Sequence, residues 1–175
     1  MSGPRVSPVT PGTVPSLADL EATIRRERGG EIPLLYEILL NSPAVAGGWE
    51  RMLTAVRNQT VVEARLRELI ILRVAVVNDA PYEFAAHVPH GRAAGLSEGQ
   101  IDAVSDWTTR PELFTDEERL LLTLTDQMTR GVTVDPAVMN AVGARYTDQE
   151  VVEVVAIVAA YNMVSRLLVA LAITH

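Results

Sequence analysis

Residues 68–95 read ELIILRVAVVNDAPYEFAAHVPHGRAAG, and the fold follows from this stretch. Its first ten residues are apolar almost all round, with Glu68 and Arg73 as the charged members, which predicts a central buried helix over about Val62 to Val77. Asn78-Asp79-Ala80-Pro81 breaks that helix. Pro81 suits the first turn of a new one, carrying Tyr82 to about Arg92 and ending near Gly95. Glu83 and His87 are four apart, so they share a face of that second helix. His90 roughly continues the face, with Pro89 between as a point of bending.

Outward from this helix pair the chain reads as helical throughout. Ser16 is placed to cap a helix from Leu17 to about Arg28, stopped by Gly29-Gly30. Two short helical patterns flank Pro43, the second from about Ala44 to Arg57. Ser97 with Gln100 forms a capping-box signature for a helix over Glu98 to Asp106. Thr115 starts a long helix, Asp116 to about Arg130, whose acidic first turn suits its dipole. Asp135-Pro136 opens a helix to Tyr146, and Thr147 starts the last, Asp148 to Ile173. No segment alternates with period two between turn signals. The expected class is therefore all-α: a single helical domain over residues 16–175, with about seven to eight helices. Residues 1–15 hold four prolines and two glycines and read as a disordered or extended arm.

Composition narrows the chemistry. All fifteen basic residues are arginine and there is no cysteine. Without lysine no side-chain amine exists for Schiff-base chemistry, and without cysteine there is no thiolate, disulfide or thiolate-held metal. The net charge of −7 argues against nucleic acid and against anionic membranes. No signal-peptide pattern opens the chain, and the apolar run near Val154 to Thr174 is interrupted by Asn162, Ser165 and Arg166. A cytoplasmic protein is expected. The last helix is too apolar for a full solvent face, so it either sits centrally or packs on another subunit.

A carboxylate and an imidazole on one helix face can set a tautomer and tune its basicity near neutral pH. Glu68 adds a second carboxyl from an apolar helix, where burial favours the neutral, proton-donating form. Read structurally, the same residues make Glu68 a partner of Arg73 or Arg65 and His87 a satisfied core histidine. Glu83, His87 and His90 also amount to a two-histidine, one-carboxylate set able to ligate iron or zinc; the favoured reading has neither metal nor cofactor.

Glu68, the Ala80–Glu83–His87 spacing, residues 34–57 with Pro43 and Trp49, and the ending YNMVSRLLVALAI together resemble the carboxymuconolactone decarboxylase and alkylhydroperoxidase D superfamily. Its redox branch carries Cys-x-x-Cys-x-x-x-His after a helix bearing a relay glutamate. Counting back from His87, the cysteine positions fall on Ala80 and Glu83 and the relay glutamate on Glu68. A thiol peroxidase is excluded. The resemblance implies a cofactor-independent lyase acting on a small carboxylated or lactone substrate. Glu68 and His87 would move protons, with Glu83 orienting His87. Arg73, Tyr82, His90 and Trp49 would contact substrate. It also implies a homo-oligomer, trimer or hexamer. The alternatives are an isomerase, dehydratase or cyclase using the same groups, and a non-catalytic oligomeric binding protein.

Overall fold

A computed structural model describes residues 3–174. Among them are nine α-helices and no strand: α1 (Ala18–Glu27), α2 (Leu34–Leu39), α3 (Pro43–Asn58), α4 (Ala64–Val77), α5 (Pro81–Ala93), α6 (Glu98–Ala103), α7 (Asp116–Gly131), α8 (Pro136–Arg145) and α9 (Asp148–Ala170). The all-α expectation holds, with slightly more helices than anticipated. Helix α6 stops three residues early, and a 3-10 turn over Trp107–Thr109 follows. Ser16 lies inside a 3-10 turn, Pro15–Leu17, so it does not cap α1.

The described residues divide into two compact units, one from Met1–Gln59 with Ala170–His175, the other Thr60–Val169. In the first unit, α1 and α2 pack on α3. Its interior holds a buried ion pair, Arg28 to Glu50 at 2.9 Å, with Thr54 donating to the same carboxylate at 2.7 Å. Among the described residues, the segment before α1 contains no α-helix. It is held by hydrogen bonds: Arg5 N–H to Leu171 O at 2.9 Å, Asn41 Nδ2 to Ser7 O at 2.9 Å, and Gly12 N–H to Glu21 at 2.9 Å. Of the arm expected over residues 1–15, Met1 and Ser2 lie outside the described residues.

In the second unit, α4 is the central helix. Every residue from Glu68 to Ala75 is buried, and both α5 and α7 pack on it. Gly91 allows α5 to come close. A Cβ there would sit 3.1 Å from Leu96 Cδ1 and 3.3 Å from Leu72 Cδ1, with Glu68 Cβ at 4.0 Å. A side chain there would require the Leu72 and Leu96 methyl groups to shift. The α4–α5 turn is tight: Asp79 adopts φ 51°, and Ala80 N–H bonds Ala75 O at 2.9 Å. Helix α5 then continues through Pro89, whose missing donor falls opposite the exposed Ala85.

Polar stitches fix the neighbouring helices. The capping boxes expected at Ser97–Gln100 and found also at Thr115–Glu118 start α6 and α7. Arg65 reaches both, pairing with Glu118 and donating to Gln100 Oε1 at 3.1 Å. Arg73 ties α4 to α7 through two bonds to Asp126, at 2.5 and 2.7 Å, and donates to the carbonyls of Val104 and Ser105. Helix α9 is long and apolar enough to cross a membrane, yet its middle supplies buried side chains to this unit, including Tyr161, Asn162 and Ser165.

Candidate active site

Glu68 lies near the first turn of α4 and His87 midway along α5, and both are buried. Helix α5 packs on α4, and His87 Nδ1 lies 2.7 Å from Glu68 Oε2. With Nδ1–H as the donor, the carboxylate holds the ring in the tautomer whose Nε2 carries the basic lone pair. The Tyr161 ring from α9 meets His87 edge-on, with centroids 5.0 Å apart and planes at 88°. His90, exposed one turn later, has its ring centre 5.5 Å from that of His87.

Glu83 is 2% exposed. Its Oε2 accepts a hydrogen bond from Ser165 of α9, and its Oε1 is buried without a hydrogen-bond partner. Burial, opposed by the Ser165 bond, pushes its carboxyl from 4.5 up to about 8. At neutral pH Glu83 is therefore mostly a neutral acid, because an ion there would give up water for one hydroxyl. The orienting pair differs from expectation. Glu68, four residues into α4, holds His87, while Glu83 turns to α9 although it shares a helix face with His87.

The expected substrate contacts scatter. Tyr82 is half-buried in the first turn of α5, and His90 is exposed beside His87. The Arg73 guanidinium binds Asp126 and two carbonyls. Trp49 is a buried residue of α3 in the first unit. Arg67, not singled out by sequence, lies next to the dyad. Its Nε is 3.8 Å from Glu68 Oε1 and has no hydrogen-bond partner among the described residues. Among the described residues no three His, Asp or Glu side chains are grouped to hold a metal, so Glu83, His87 and His90 do not assemble as a ligand set.

Three α9 residues have partners that the sequence does not name. Tyr161 and Ser165, four apart, face α5. Asn162 accepts from Asn78 Nδ2 at 3.0 Å and donates to Thr129 Oγ1 at 2.9 Å. The available signal is their polarity within an otherwise apolar helix, which requires partners inside the fold.

Residues 43–127 match the model of the carboxymuconolactone decarboxylase family. This segment contains Glu68, Glu83 and His87. The chain is similar to the crystal structure of a protein of unknown function from Agrobacterium tumefaciens, placed by name with the antioxidant defence protein AhpD. Identity is 27% over 78% of this chain and 94% of that one, with a TM-score of 0.73. An alkylhydroperoxidase AhpD core from Ralstonia eutropha JMP134, a peroxidase-related protein, shares the fold at a TM-score of 0.83 and 16% identity, covering 99% of this chain and 93% of that one. The debrominase Bmp8, as a variant in complex with 2,3,4-tribromopyrrole, shares it at a TM-score of 0.78 and 15% identity, over 95% of this chain and 89% of that one. No curated protein sequence matches.

Proposed function

We propose that the chain, whose residues 43–127 match the carboxymuconolactone decarboxylase family, is a cofactor-independent acid–base enzyme of the decarboxylase type. The observation that carries this reading is the buried 2.7 Å contact between Glu68 and His87. A carboxylate on Nδ1 raises the basicity of Nε2 and stabilises the imidazolium that forms on proton uptake.

The substrate class is a small carboxylated or lactone molecule. When carbon dioxide leaves such a molecule, the C–C electron pair passes into a dienolate. His87 as imidazolium then returns a proton to carbon. Arg67 replaces Arg73 as the carboxylate anchor in this reading, since a guanidinium holds a carboxylate through two parallel bonds. Glu83 supplies a neutral carboxyl one helical turn before His87. Isomerisation or dehydration would use the same groups, and pocket shape separates these outcomes.

His87→Gln is expected to lower turnover at least about 100-fold, the usual worth of a positioned acid–base group, while circular dichroism keeps the helical signal. Turnover of a small carboxylated lactone within a few-fold of the parent would remove His87 from the mechanism. One observation favours a second reading, a non-catalytic binding protein: Glu68 and His87 touch directly, and the cavity described below is lined by neither of them. Saturable lactone binding without turnover would select it.

A homo-oligomer is part of the proposal. Val152 and Met163 are exposed along α9 at 67% and 40%, and their spacing of eleven residues puts them on one face. Sedimentation should return a trimer or hexamer at micromolar concentration, and a stable monomer would reject that assembly.

A further inference from the structure

A cavity of about 450 Å³ opens at the α4–α5 turn, lined by Ala75, Val76, Ala80, Pro81, Phe84 and Ile101 on its apolar side and by Asp79, Asp102 and Ser105 on its polar side. We infer that this cavity is a second small-molecule site, separate from the Glu68–His87 dyad, and that its ligand is a cationic amine with an apolar body.

The volume falls in the range of small-ligand pockets, which are mostly apolar with a few polar groups fixing orientation. The apolar wall is preformed. Ala80 is buried and packed under the turn, and Ile101 belongs to the cluster of Leu69, Leu72 and Trp107, with Phe84 packed on it. The opposite wall, the end of α6, is held by Arg73, which binds the Val104 and Ser105 carbonyls at 2.7 and 2.8 Å. A ligand entering here would therefore meet a shape already ordered, at small conformational cost.

Charge selects the ligand. The lining contains two carboxylates and no basic side chain. Asp102 interacts electrostatically with Arg92, more weakly than Glu98 does. The nearby Arg92 is engaged by Glu98 through two bonds of 2.6 and 2.8 Å, so its charge is largely offset there. The start of α5 at Pro81 contributes about half a positive charge, against two full negative ones. The balance repels the anionic substrate proposed for the dyad and attracts an ammonium, whose apolar body can lie against Phe84 and Ile101. An aromatic ring in the lining favours a cation further.

Isothermal titration of the full chain with 2-phenylethylammonium, and separately with 3-phenylpropionate, tests this. Amide NMR on the same samples locates the ligand. The ammonium should bind saturably, weaken with added salt, and shift the amides of Asp79, Phe84 and Ile101. The carboxylate should not. Asp79 and Asp102 are exposed, so an Asp79→Asn/Asp102→Asn double variant keeps the fold and should weaken ammonium binding about fivefold, from two solvent-exposed ion pairs. Equal binding of both probes, unchanged affinity in the double variant, shifts confined elsewhere, or no saturable binding would each overturn the inference. The dyad is untouched by these variants, so lactone turnover reads the acid–base proposal independently.

Discussion

Glu83→Gln is expected to flatten the pH dependence of stability. In the parent, the buried Glu83 carboxyl keeps its proton up to about pH 8, whereas in the unfolded chain it ionises near 4.5. Between those values the folded state binds the extra proton, so stability falls as pH rises. The slope approaches about 1.4 kcal/mol per pH unit, and the whole window spans roughly 4 to 5 kcal/mol at most. Below the window the contribution is fully present; above about pH 8 the loss is complete. Glutamine has the same shape and no such proton, and its amide can still bond Ser165. Denaturant midpoints measured from pH 5 to 9 should decline steeply in the parent and stay much flatter in the variant. Parallel profiles would mean that Glu83 is ionised at neutral pH, and would remove it as a neutral acid in the site.

The second large effect belongs to Arg73. Replacing it by leucine leaves the Asp126 carboxylate without its guanidinium and the Val104 and Ser105 carbonyls without a donor, though Trp107 Nε1 still donates to Asp126 at 3.2 Å. Breaking one side of a buried pair typically costs about 3 kcal/mol or more. For a chain of this size that amounts to a fall in melting temperature of roughly 10 °C. An Arg73→Leu/Asp126→Leu pair should recover part of the loss, because neither charge then remains unpaired. A single variant melting within about 2 °C of the parent would show that this guanidinium is not structural and would reopen its candidacy as a substrate anchor.

These two residues show what is legible from the chain. Arg73 stands out as a charge in an apolar helix, and that alone allows two readings, a pocket anchor or a buried structural pair. Its helix position is readable; its partner Asp126, 53 residues away, is not. Glu83 is readable as the i−4 neighbour of His87 on one face of α5. The pairing is not, because sharing a face permits a contact without requiring it. Packing of α5 on α4 brings Glu68 to His87, and Ser165 on α9 takes Glu83.

Periodicity, prolines and capping residues determined by themselves that the chain is all-α, where the α4–α5 break falls, and that Glu68, Glu83 and His87 lie around it. Composition determined that no thiol and no side-chain amine can act. These are local properties, written in neighbouring residues and residue types. Only the tertiary structure decided which carboxyl holds the imidazole, which stays neutral, and which arginine is left beside the dyad. It also placed the acidic, apolar-walled cavity at the turn. Those outcomes depend on helix–helix packing and on which polar groups lose water together, and both are set by contacts between residues far apart in the chain.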